Sequence, residues 1–114
     1  MTRGHPPVVA ISEARQRAKA CGLMTIALDS LEPHPFDFMI FDWGCVSLVR
    51  VRRLRYPGFE IPDIARSCAY EIAELREIPV AEEIHRELDV RGPDRAWHRY
   101  LVLPDSLESL KDDE

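Results

Sequence analysis

An aspartate at 37 and arginines at 50, 52, 53 and 55 are the side chains best suited to chemistry in this 114-residue chain. The aspartate ends Pro35-Phe36-Asp37, and the arginines crowd the stretch Val49-Arg50-Val51-Arg52-Arg53-Leu54-Arg55. A guanidinium offers a rigid fork of donors that fits a carboxylate or a phosphate. Side chains two apart on a strand point the same way, so Arg50 and Arg52 should act on one face. Arg15, Arg17 and Lys19 form a second basic run. Both runs are candidate contacts to the phosphates of DNA or RNA. A plainer arrangement uses the same residues: Asp37 and Arg50 as a cross-strand ion pair beside the core.

Weaker candidates lie elsewhere. Glu82 and His85 sit three apart, a metal-site spacing on a helix, but Glu83, Arg86 and Glu87 around them suggest a solvated face. His34 lies in a proline loop beside Asp37 and is a candidate to face the same cleft, although a loop histidine is more often structural. Trp97 and Tyr100 read as core and edge aromatics. The sequence has no glycine-rich phosphate loop and no nucleophile elbow. Cys21, Cys45 and Cys68 are odd in number and form no Cys-x-x-Cys pair, which argues against a disulfide framework and a thiolate zinc site. Each lies among apolar residues and is expected in the core.

The elements that must position these residues follow from patterning. Ser12 as N-cap and Gly22 as stop predict a helix over 13–21. Alternation predicts a strand at 23–28, and Glu32-Pro33-His34-Pro35 a loop. An apolar strand at 36–41, the turn Asp42-Trp43-Gly44 and a strand from Cys45 to Arg55 make a hairpin, closed by Tyr56-Pro57-Gly58. Ile61, Ile64, Cys68, Ile72 and Leu75 recur at helical spacing and predict a helix over 62–77. Pro79 opens a second, shorter helix with Val80, Ile84 and Leu88 on one face, broken at Gly92-Pro93. Trp97 to Leu103 is a last strand and a plausible sheet edge. Residues 1–11 and 105–114 are expected extended or frayed. The prediction is one α/β domain over 1–114, with a mixed four-stranded sheet flanked by helices in the order αβββααβ.

That order resembles the PD-(D/E)xK, or restriction-endonuclease-like, nuclease superfamily, which includes archaeal Holliday-junction-resolvase-type domains. The resemblance runs over about residues 12–103. It places Asp37 at the metal-binding aspartate, Arg50 at the second acidic residue, Arg52 at the lysine, and Glu13 at a helical glutamate that some members use. The superfamily's carboxylates hold a divalent cation beside the scissile phosphate, and its lysine steadies the attacking water. Here two of the three chemical positions are arginine, and an arginine at 50 repels a cation. The resemblance therefore implies a degenerate site with no metal and no cofactor. Mg²⁺ enters only if a residual nuclease survives on Asp37, Glu13 and Arg52.

Net charge is −5, and the last ten residues carry −4 of it, leaving the remainder near neutral around its arginine cluster. No apolar run approaches the ~18 residues of a membrane span. The polar N-terminus shows no secretion signal, so a cytoplasmic protein is expected. The leading reading is a nuclease-fold protein that binds nucleic acid through Arg50, Arg52, Arg53 and Arg55, helped by Arg15, Arg17 and Lys19, without cutting it. The alternatives are a protein–protein interaction module, such as a homodimer, and a metal-dependent nuclease with an atypical site.

Overall fold

The computed structural model describes residues 7–27, 34–81 and 83–110. Its elements are α1 (Val8–Ala20), β1 (Met24–Ala27), β2 (Phe38–Asp42), β3 (Cys45–Arg53), α2 (Ile61–Ser67), α3 (Ala69–Glu77), β4 (Ile84–Arg91), β5 (Trp97–Val102) and β6 (Leu107–Leu110). The strands form one sheet in sequential order from β1 to β6. Every neighbouring pair is antiparallel except β3 and β4, which run parallel. The helices α2 and α3 make the crossover that a parallel pair requires.

Each face of the sheet has its own core. Ala10, Ala14 and Ala18 bring α1 down onto Phe38, Ile40, Val49 and Val51. On the other face Ile64, Cys68, Ile72 and Leu75 pack against Leu88, Val90, Tyr100 and Val102. Ile72→Ala should lose about 2–4 kcal/mol in urea unfolding, as buried isoleucine truncations do; a loss under ~0.5 kcal/mol, the range of surface sites, would refute this packing.

Local signals worked where the partner was close in sequence. Gly22, at φ 84°, ends α1, with its N–H on the Lys19 carbonyl and the Leu23 N–H on the Ala18 carbonyl, a Schellman closure. Gly44, at φ 71°, turns the β2–β3 hairpin as expected.

Several expectations need correction. Among the described residues the sheet has six strands, not four, and the order is αβββααβββ. The second helix expected after Pro79 gives way to strand: residues 84–91 form β4, in the middle of the sheet. Ile84 and Leu88 are four apart, one helical turn but also two pleats of a strand, so the spacing fits both periods. Tertiary pairing decided, because Glu87 and Asp89 find Arg99 on β5 and are buried. β5 is consequently interior, and among the described residues β1 and β6 are the edges. Residues 107–110, expected frayed, form β6, anchored by buried Leu107 opposite Val102. The first helix starts at Val8, with Pro7 as its N-cap and Ser12 inside it. The helix over 62–77 is interrupted at Cys68, where the backbone leaves helical geometry at φ −114°. The strand ends at Arg53 rather than Arg55. Cys68 is buried, but Cys45 is partly accessible and Cys21 exposed. His85 lies on β4, not on a helix; Glu82 falls outside the described residues, as do Leu28, Glu32, Pro33, the first six residues and the last four. Among the described residues no helix is long and apolar enough to cross a membrane.

Candidate functional site

Arg50 and Arg52 project from β3 towards α3, as their spacing on one strand requires. Arg50 is 2% exposed. Its guanidinium meets the Glu74 carboxylate at 2.6 Å and donates to the Pro35 carbonyl at 2.9 Å. Its Nε lies 3.9 Å from Asp37 Oδ2. The sequence pair is therefore adjacent, but the closest charge on Arg50 belongs to α3. Arg52 repeats the pattern one pleat along, donating to both Glu71 oxygens at 2.8 Å. Glu71 and Glu74 are thus the residues that sequence reasoning missed. Their signal was legible: two glutamates three apart on the helix that also carries Ile72 and Leu75, so one of its apolar-rich faces is charged.

Asp37 is turned inward as well. Its Oδ2 accepts the Val51 N–H at 2.7 Å, while its own N–H donates to the Val49 carbonyl at 2.7 Å. The His34 carbonyl faces Arg50 at 3.5 Å, so this loop contributes backbone rather than imidazole to the arginine. Glu13 pairs with Arg91 at 3.0 Å. These donors do not fit a divalent cation. A fixed positive charge stands among the oxygens that a cation would need, and Mg²⁺ asks for several oxygen ligands. Among the described residues no three His, Cys, Asp or Glu side chains gather into a possible metal site.

The basic run on α1 is divided. Arg15 donates to Thr25 Oγ1 at 3.2 Å, and Lys19 is exposed. Arg17 is largely covered, with its guanidinium 3.9 Å from the fully buried Asp89. Asp89 and Glu87 share this interior with Arg99, whose Nε and Nη2 reach the two Glu87 oxygens at 3.1 and 3.2 Å. Burial pushes the Asp89 carboxyl well above its ordinary range, and the neighbouring Glu87 charge pushes the same way. Burial also works to raise Glu87, but its neighbours Asp89 and Arg99 outweigh it and hold Glu87 below its usual range.

A different arginine group faces solvent. Arg53 and Arg91 are register partners at the carboxyl ends of the parallel strands β3 and β4. With Arg55, Arg95, Glu13, Leu54 and the Gly92-Pro93 turn they line a cleft of about 840 Å³. Carboxyl ends of parallel strands are where open α/β sheets place ligands. Arg91 is steadied by Glu13 and by Trp97, whose ring centroid is 5.0 Å from the guanidinium carbon. Among the described residues Arg53, Arg55 and Arg95 have no ion-pair partner. Arg95 holds a left-handed backbone at φ 63°, uncommon for a residue with a side chain. A second hollow of about 570 Å³ shares Arg53 and Arg55 and adds Arg66 and Tyr56, which is 78% exposed.

This arrangement of elements has a solved counterpart. Hjc, a Holliday junction resolvase from the archaeal hyperthermophile Archaeoglobus fulgidus, superposes with a TM-score of 0.59 over 81% of this chain and 72% of that one. The chain has a resolvase-like fold. Identity is 14%, so the likeness establishes the fold and nothing finer. It is the restriction-endonuclease-like fold that Asp37 and the Arg50-Val51-Arg52 strand implied. No family model matches the chain. No curated protein matches it either. Within this fold the arginine-lined cleft and the Arg50–Glu74 interior lie on opposite faces of β3. Successive side chains of a strand alternate, and Arg53 and Arg50 are an odd number of residues apart.

Proposed function

We propose that this chain is a non-catalytic nuclease-fold protein of the cytoplasm that binds nucleic acid at the carboxyl ends of β3 and β4. The observation that carries the reading is the cleft of Arg53, Arg55, Arg91 and Arg95 on a chain whose net charge is −5. Such a concentration of positive charge against the overall balance suits a phosphate backbone. Arg50 and Arg52 neutralise Glu74 and Glu71 instead; Arg50 is interior, and Arg52, partly exposed, borders the second hollow. Exposed Tyr56 beside Arg55 offers a face on which a base can stack. The resolvase likeness supports DNA as the first polymer to test. No metal or cofactor is part of the proposal.

The test is a salt titration of binding to labelled duplex and single-stranded DNA. Wild type should bind with a log–log salt slope of about −3 or steeper. Combined Arg53→Gln, Arg55→Gln and Arg95→Gln should weaken binding at least about tenfold and flatten the slope by roughly one per arginine. Binding that ignores salt, or none at low salt, would overturn the nucleic-acid half. Cleavage of the same DNA in Mg²⁺ or Mn²⁺ would overturn the non-catalytic half.

A second reading is an interaction module, such as a homodimer. Edge strand β1 exposes Met24 and Ile26 at 66% and 45%, and the hairpin tip exposes Trp43 at 99%. Unpaired edges flanked by apolar side chains invite another chain.

A further inference from the structure

The far end of the same two strands carries a second chemical pair. Cys45 opens β3 and His85 lies at the start of β4, roughly 25 Å of strand away from the arginine cleft at ~3.3 Å per residue. Cys45 Sγ lies 3.1 Å from His85 Nδ1, within hydrogen-bonding reach for sulfur. The strand pairing sets this approach: Ser47 is the register partner of His85, so Cys45 stands one pleat along on the same side. The tight turn at Gly44 fixes where β3 begins and so where the thiol stands. His85 is exposed and Cys45 partly so, which leaves the sulfur open to a small reagent.

We propose that Cys45 is a thiol–disulfide exchange site, with His85 as its proton acceptor and small-molecule disulfides as its reaction partners. A thiol is a nucleophile only as its proton leaves, and an imidazole in contact takes that proton as attack begins. The Cys45 sulfur attacks one sulfur of the disulfide, and a new S–S bond forms as the old one breaks. The displaced thiolate leaves with the electron pair of the broken bond and recovers the proton from His85. One thiol and one disulfide enter, and one mixed disulfide and one thiol leave, so the incoming disulfide is the only oxidant required. The other cysteines supply the contrast. Cys68 is buried, and burial pushes its thiol up. Cys21 is exposed at the end of α1 and serves as the accessible reference thiol.

The experiment follows release of coloured thiolate from dithiobisnitrobenzoate on the folded full-length chain at neutral pH. Cys21→Ser leaves Cys45 as the accessible thiol, and Cys45→Ser leaves Cys21. Cys45 should react at least about tenfold faster than Cys21, a modest part of what a placed base supplies. His85→Gln and His85→Ala, each in the Cys21→Ser background, should remove that advantage. The alanine variant separates base from shield: it widens access to the sulfur, so a purely steric role would make labelling faster. Oxidised glutathione should add one glutathione, located by peptide mass at Cys45. Equal rates for Cys45 and Cys21, or undiminished labelling in both His85 variants, would overturn the proposal. This outcome is independent of whether the chain binds DNA.

Discussion

Arg50→Ala should lose about 3–5 kcal/mol of folding stability, because it leaves buried carboxylate behind. The arginine is 2% exposed and touches Glu74, the Pro35 carbonyl and Asp37. Alanine removes the one positive charge among those acceptors and opens a cavity as well. Urea unfolding followed by tryptophan fluorescence measures it, since Trp97 is partly buried. Arg50→Glu should be worse in metal-free buffer, since it adds a third carboxylate beside Asp37 and Glu74. It also restores the acidic residue type that the nuclease resemblance calls for at 50. Mn²⁺ should therefore raise the unfolding midpoint of Arg50→Glu while leaving wild type unmoved, because a ligand stabilises only the state it binds. Stabilisation of wild type by Mn²⁺ would show that the native side chains do hold a cation. An Arg50→Ala loss under ~1 kcal/mol would show that the pairing is of the weak surface kind.

Glu87→Gln and Asp89→Asn should separate sharply although the residues are two apart on one strand. Glu87 meets Arg99 through both oxygens in a buried setting, so its neutralisation should cost about 3–5 kcal/mol at pH 7. Asp89 stays at 3.8 Å from Arg99 and 3.9 Å from Arg17, and its pKa is raised by burial and by Glu87. Asparagine resembles the protonated form, so Asp89→Asn should remain within about 1 kcal/mol of wild type. The two carboxyls also give opposite pH trends. The lowered pKa of Glu87 contributes stability above its unfolded value, near 4.5, which is lost as pH falls through the folded value. The raised pKa of Asp89 contributes stability below 3.8 that is lost as pH rises through the folded value. Asp89→Asn should accordingly gain on wild type as pH climbs above 4, the unfolded range of an aspartate. Urea midpoints across pH 4–8 would show it; an Asp89→Asn loss as large as that of Glu87→Gln would mean that Asp89 is charged and held by Arg17.

What was legible in the sequence has a common physical character. Gly22 and the Asp42-Trp43-Gly44 turn act through their own backbone, so their effect is local and readable. Arg50 and Arg52 could be placed on one face because a strand has a strict period of two. Ile64, Cys68, Ile72 and Leu75 declared a buried helical face through the helix's own 3.6-residue period, although Cys68 interrupts the helix itself. The amphipathic pattern outlasted the break because those positions remain buried against the sheet.

The candidate site was legible only in part. Asp37 and Arg50 could be expected to meet, since a hairpin joins their strands. Glu71 and Glu74 could not be assigned to those arginines, because the crossover that brings α3 over β3 is a long-range decision. The same holds for the cleft: Arg53 and Arg55 were visible as a run, but Arg91 and Arg95 join them only when β4 lies parallel to β3.

By itself the sequence determined the turns, the faces of β3 and the helical stripe, and with them a fold that Asp37 and the arginine strand pointed to. Only the tertiary structure decided whether residues 84–91 were helix or strand, because Ile84 and Leu88 satisfy both periods. It also decided which arginines are interior and which face solvent. Charge and spacing are identical in a sequence whether a guanidinium is desolvated or wet. The difference arises when α3 lays Glu74 over Arg50 and leaves Arg53, one face away, open to a phosphate.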